Sequence, residues 1–304
     1  MNATDRSSAA ARSAIARWVA HGPEYLIEAW ALGTFMLVAC VVAVAFGHDA
    51  SPLRAVLGSG LPSRFAAGLV MGATAVLLIT SPWGRRSGAH MNPAVTLAFL
   101  RLGRIDAVDA VGYVAAQCVG GIAGVAVARL ACSTLLEAPS VRFAATVPGP
   151  SGIAAAFCGE LVIAFLMMAV VLMSQRAPRT ASWTPWLAGS LVCIFITFES
   201  PLSGMSMNPA RTLASALHAD EWTGAWLYAV APVLGMALAA HGVGRAASGC
   251  AKLMHCPRVR CIFCGEGCGE RRGEGRELEP CASDTATNAV NPRTSSELRP
   301  SAHP

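Results

Sequence analysis

A thirteen-residue segment occurs twice in this chain, and no other feature restricts its fold as strongly. Gly88-Ala89-His90-Met91-Asn92-Pro93-Ala94-Val95-Thr96-Leu97-Ala98-Phe99-Leu100 aligns without a gap on Gly204-Met205-Ser206-Met207-Asn208-Pro209-Ala210-Arg211-Thr212-Leu213-Ala214-Ser215-Ala216, and eight of the thirteen positions are identical. The copies lie among six apolar runs, Tyr25 to Phe46, Arg64 to Trp83, Ala107 to Leu135, Gly152 to Met173, Trp183 to Phe198 and Trp222 to Gly244. Runs of this kind match the roughly 20 residues a helix needs to cross about 30 Å of hydrocarbon. One copy follows the second run and the other follows the fifth, so the chain divides into two halves of three spans. Three is odd, so the second half enters the membrane upside down relative to the first.

Composition supports a membrane chain. Of 304 residues 54% are apolar and only 13% charged, against about 25% charged in soluble domains. From Tyr25 to Arg245 there are 12 basic and 9 acidic residues in 221 positions, whereas Ala246 to Pro304 packs 8 basic and 7 acidic into 59. The organisation expected is a polar lead over 1–24, a membrane-spanning domain over 25–246 with halves at about 25–136 and 152–246, and a Cys-rich, disordered tail over 247–304. The lead has no apolar core and reads as uncleaved. The net charge of +5 forms no dense basic stripe, which removes nucleic acid as a partner. No nucleotide-binding loop is present, and no chain of carboxylates or histidines runs along the spans. The expectation is therefore neither an enzyme nor a coupled transporter, with no cofactor.

Basic residues crowd four segments: before span 1 (Arg6, Arg12, Arg17), between spans 2 and 3 (Arg85, Arg86, Arg101, Arg104), between spans 4 and 5 (Arg176, Arg179) and after span 6 (Arg245, Lys252, Arg258, Arg260). The opposite loops carry chiefly Arg54, Arg64 and Arg142. By the positive-inside rule both termini are cytoplasmic.

Each repeated segment is too short to span. Pro93 to Leu102 and Pro209 to His218 are ten residues each, about 15 Å of helix. Two such halves entering from opposite faces meet at the midplane. Asn is a favoured N-cap and Pro suits the first helical position, where its missing N–H costs nothing. The loop residues before each start are non-helical backbone at membrane depth, tolerable only where protein buries them or a wet cavity accepts their carbonyls.

With these residues in place the chain resembles a bacterial-type channel of the aquaporin, or major intrinsic protein, family. The resemblance covers roughly Tyr25 to Gly244 and rests on the paired Asn-Pro-Ala motifs, the second followed by Arg211. Tyr113, Gln117 and Gly121 in span 3, Glu160 and Phe165 in span 4, and Pro232 and Gly235 in span 6 match as well. It implies an all-α membrane fold of six tilted helices plus two re-entrant half-helices, one pore per subunit and a homotetramer in the plasma (inner) membrane bilayer. The function implied is passive conduction of water, and also of small neutral solutes, with protons and ions excluded. The alternatives are a facilitator for glycerol, urea or metalloid acids, or a structural protein with a closed pore.

On this resemblance Asn92, Pro93, Ala94, Asn208, Pro209 and Ala210 form the pore midplane, where each Asn offers its N–H2 to a passing water. Two facing helix N-termini, each equivalent to about half a positive charge, repel cations. Counting back from the motifs assigns the outer constriction to Gly72, Ile196, Met205 and Arg211. Water-selective relatives carry an aromatic ring and a His where Gly72 and Ile196 stand, so this filter loses bulk at the first and a donor at the second and is more apolar, with the long, flexible Met205 able to refill the space. Thr212 and Ala216 occupy places where glycerol-type relatives have Asp and a basic residue, and on this resemblance they favour the water branch. Glu160 and His90 are assigned to loop support, His90 also being readable as a pH gate. The span 1 partner of Glu160 is missing where expected: Trp30 stands there, and Glu28 lies two positions earlier, about 200° away around the helix. In the tail, Cys250, His255, Cys256, Cys261 and Cys264 are candidate zinc ligands of incomplete spacing, with acylation or simple thiols as the other readings.

Overall fold

The computed structural model describes residues 14–243, 250–254 and 261–263. His255, Cys256, Cys264 and most of the tail lie outside them. Among the described residues all regular structure is helical. Five helices are long and apolar enough to cross a membrane: α1 (Gly22–Gly47), α2 (Leu61–Thr80), α4 (Ala107–Leu136), α5 (Gly152–Ser174) and α8 (Ala225–Gly242). Between them lie two half-helices, α3 (Pro93–Arg101) and α7 (Pro209–Ala219), of 9 and 11 residues. The remaining long element, α6 (Thr184–Phe198), has 15 residues and is followed at once by a turn of helix at Ser200–Ser203.

The environment of the side chains identifies the solvent. Leu26, Val119 and Leu130 are 74%, 66% and 89% exposed, a distribution that water would penalise and lipid does not. All seven tryptophans are exposed, most of them near helix ends, as expected of rings anchored at the headgroup level. The chain is an integral membrane protein.

Helix pairs approach closely where glycine removes a side chain. A Cβ on Gly120 would stand 2.0 Å from the Ala29 carbonyl oxygen, and one on Gly124 2.1 Å from that of Gly33, so α1 and α4 touch backbone to backbone. The second half repeats this contact: a Cβ on Gly235 of α8 would meet the Leu161 oxygen of α5 at 2.3 Å. α2 and α6 form the third such pair through Gly72 and Gly189.

Two span boundaries differ from expectation for local reasons. α2 ends at Thr80, because Pro82 drives Ser81 to an extended ψ of 154°, and a separate helix, Pro82–Ser87, then starts under the Ser81 side chain. α8 starts at Ala225, since Gly224 takes a left-handed φ of 66°. Both chain ends of the bundle lie on one face, here the terminal face: Trp18 donates to Val108 O, and Arg176 donates to Val243 O. The opposite face is the distal face, where Arg142 pairs with Glu221 at 3.3 Å.

Candidate functional site

Two loops with the same backbone lead into the half-helices. Ala89 and Met91 have φ of 53° and 50°, and their equivalents 116 residues later, Met205 and Met207, have 52° and 58°. A left-handed conformation costs a non-glycine residue about 1–3 kcal/mol, so each loop needs something that holds it.

A buried carboxylate holds each one. Glu160 accepts from Ser203 Oγ (2.7 Å), Ser206 N (2.6 Å) and Met207 N (2.6 Å). Glu28 does the same for the first loop, accepting from Ser87 Oγ (2.7 Å), His90 N (3.0 Å) and Met91 N (2.7 Å), with Gln117 Nε2 as a fourth donor at 2.9 Å. The expected gap in span 1 is thus absent: Glu28 is the counterpart of Glu160. The apparent 200° offset came from placing the carboxylate at Trp30, whereas the register follows the close contacts, with Ala29 of α1 and Leu161 of α5 each lying one residue after its carboxylate. A signal existed in the chain, since Glu28 is the one carboxylate in the run Tyr25 to Phe46. Tyrosines complete the symmetry, Tyr113 donating to Ser87 O at 2.7 Å and Tyr228 to Ser203 O at 2.5 Å.

The half-helices start back to back. Asn92 Oδ1 accepts from Ala94 N, and Asn208 Oδ1 accepts from Ala210 N and Arg211 N. Each Nδ2 donates across the junction, Asn92 to Met207 O at 2.8 Å and Asn208 to Met91 O at 2.7 Å. An amide nitrogen carries two hydrogens. One of each pair therefore ties the halves together, and the other is left for the cavity that both asparagines line.

That cavity has a volume of about 460 Å³ and runs past Phe35, Met71, Met168, Val192 and Ile196 on its apolar sides and past residues 89–92 and 204–208 on its polar side. His90, Met205 and Arg211 also line it. Arg211 stands in the first turn of α7, on the distal side of the junction, and its Nη1 has no hydrogen-bond partner among the described residues. Pro93, Ala94, Pro209 and Ala210 are not on the lining; Ala94 and Ala210 are 1% exposed and pack into the bundle. They set the helix starts and leave the lining to the asparagines.

Gly72 requires a correction. It faces α6, where a Cβ would stand 2.4 Å from Gly189 O, and it is not among the residues lining the cavity. The break at Ser81 and the separate helix Pro82–Ser87 lie between α2 and Asn92, so a position counted back from the motif falls on a different face of α2. Ala67 lines the cavity instead. Its neighbour Gly68 packs on Cys193, and Arg64 Nε donates to Thr197 O at 3.0 Å, which puts Ala67 at the height of Ile196.

His90 is tied on both ring nitrogens, to Thr96 Oγ1 at 3.1 Å and to Ala251 O at 2.6 Å, and it stacks on Phe99. Among the candidate tail ligands Cys250 and Cys261 are described, with sulfurs 3.4 Å apart. No group of three or more His, Cys, Asp or Glu suited to a metal occurs among the described residues.

The family model described as Major intrinsic protein matches residues 22–242. Aquaporin NIP2-3 of Zea mays is 35% identical over 215 residues, covering 70% of this chain and 66% of that protein. Aquaporin NIP1-2 of Arabidopsis thaliana is 34% identical over 211 residues, covering 67% and 68%. Nodulin-26 of Glycine max is 35% identical over 153 residues, or 50% and 55%. Among solved structures, the X-ray structure of the aquaglyceroporin from Plasmodium falciparum is similar with a TM-score of 0.60 at 18% identity, covering 73% of this chain and 94% of that one. At that identity the likeness concerns the fold alone.

Proposed function

This chain belongs to the major intrinsic protein family, and from that premise we propose that it is a passive channel for water that also admits small neutral solutes while excluding protons and ions. The observation that carries the reading is the junction of Asn92 and Asn208. Each asparagine spends one N–H on the opposite loop and keeps one for the cavity, so a passing water meets two donors at the point where two helix N-termini meet. A water whose oxygen accepts from both is oriented against passing a proton along the file, and the positive ends of α3 and α7 oppose cations. Arg211 adds a full charge one turn further out and donates to permeant oxygens.

The filter proposed is Ala67, Ile196, Met205 and Arg211. Neither Ala67 nor Ile196 carries a ring or a donor, which favours permeants with an apolar edge and a hydroxyl or amide for Arg211. This wider filter is the ground for admitting glycerol- or urea-sized solutes alongside water. His90, Glu28 and Glu160 support the loops. The channel domain is 25–246, assembled as a homotetramer with one pore per subunit in the plasma (inner) membrane. Both termini are cytoplasmic, as the distribution of Arg and Lys implies.

The test is osmotic. Vesicles carrying the purified protein shrink faster than empty vesicles under a sucrose gradient while an imposed pH gradient persists. Equal rates with and without protein refute water conduction. Rapid decay of the pH gradient refutes proton exclusion.

A further inference from the structure

The segment after α8 returns to the pore. Ala251, Lys252 and Leu253 are 0%, 3% and 7% exposed, and Leu253 lines the terminal-face end of the cavity. Three hydrogen bonds seat this segment: Leu253 N donates to Gly88 O at 3.1 Å, Ala251 O accepts from His90 Nε2 at 2.6 Å, and Lys252 O accepts from Gln175 Nε2 at 3.0 Å. Gly88 takes part sterically, because a Cβ there would stand 2.9 Å from Lys252 Cγ. A second point of attachment is Phe263, whose ring is parallel to that of His90 within 9° at 6.0 Å and meets Tyr113 at 5.8 Å. Cys250 adjoins the first attachment and Cys261 the second, and their sulfurs are 3.4 Å apart.

We propose that Cys250 and Cys261 form a dithiol modification site, oxidised by a peroxide to a disulfide that locks the Ala251–Leu253 segment in the terminal mouth of the pore and closes it. Peroxide oxygen forms a bond to the Cys250 sulfur as the O–O bond breaks, and the remaining oxygen leaves as water with the thiol proton. The Cys261 sulfur then attacks that sulfur. The S–S bond forms, the S–O bond breaks, and the hydroxide takes up the Cys261 proton as a second water, so two thiols and one peroxide give one disulfide and two waters. Cys250 is the more exposed of the two, being half-buried, whereas Cys261 is buried beside it. The bond joins the two attachments, so the segment leaves the mouth only when Phe263 also leaves. Closing a loop of this length shifts the seated-to-released equilibrium by up to about 100-fold. With the termini cytoplasmic the bond forms in a reducing compartment, where such disulfides are transient sensors.

The proposal rests on the channel reading, and the experiment separates the two. Full-length protein in vesicles is assayed for osmotic shrinkage after dithiothreitol, after hydrogen peroxide, and after a second reduction, beside full-length Cys250→Ser, Cys261→Ser and Leu253→Gly. Peptide mapping without reductant identifies the bond formed. Peroxide is expected to slow wild-type water flux about fivefold or more, dithiothreitol to restore it, both serine variants to keep their flux in peroxide, and Leu253→Gly to conduct in either state. A Cys250–Cys261 bond with undiminished wild-type flux overturns the closure, and a map without that bond overturns the site. If reduced wild type and Leu253→Gly both shrink no faster than empty vesicles, the channel reading itself has failed and the proposal falls with it.

Discussion

Replacing Glu28 by glutamine tests the first-loop support atom by atom. The carboxylate serves four donors, two on each oxygen: Ser87 Oγ and His90 N on Oε1, Met91 N and Gln117 Nε2 on Oε2. Glutamine keeps the shape and turns one of these oxygens into a donor. If the nitrogen takes the Oε1 place, His90 N–H loses its acceptor. If it takes the Oε2 place, Gln117 can flip its amide and offer Oε1, which has no partner among the described residues, yet Met91 N–H is still orphaned. Either way one buried backbone N–H is stranded and the charge is lost from the surviving bonds, a cost of about 2–4 kcal/mol. Because the loop also holds Ala89 and Met91 at positive φ, local opening should absorb the cost. Hydrogen exchange by mass spectrometry, in detergent or nanodiscs, should show residues 88–91 exchanging about 100-fold faster while residues 204–207 stay protected. Glu160→Gln should give the mirror result. Unchanged protection at 88–91, or an equal loss in both loops, would refute the assignment of Glu28 as the local support.

Arg211→Val, in protein that still folds, should let a pH gradient across vesicles decay measurably faster, because the guanidinium that lines the cavity on the distal side of the junction is gone; an unaltered gradient would leave exclusion to the half-helix dipoles. Met205→Ala should raise glycerol or urea uptake and Ala67→Phe should lower it, with water flux retained, as read by solute-driven reswelling. Gly72→Ala should instead act on the fold: its methyl would press on Gly189 O at 2.4 Å, costing about 1–3 kcal/mol, so thermal unfolding in detergent should come earlier while the solute profile of the surviving protein is unchanged.

What the amino-acid sequence determined by itself is the architecture. Hydrocarbon leaves a chain of apolar runs one regular choice, the helix, and the run lengths then count the spans. The repeat at Asn92 and Asn208 names two helix starts directly, because N-capping and Pro at the first helical position are local chemistry. Arg211 was legible for the same reason, as the residue two positions past a legible Pro209. Tertiary structure decided whatever depends on rotation about a helix or on contact between distant segments. Gly72 and Ala67 are both small residues of one helix, and only the break at Ser81 and the packing of α2 on α6 determine which faces the cavity. Glu28 could be paired with its loop only once the contact of Gly120 with Ala29 had set the register of α1 against α4. The seating of Leu253 against Gly88 joins residues 165 positions apart. No periodicity encodes such a contact, because its partners share neither a helix nor a repeat and meet only when the bundle has closed.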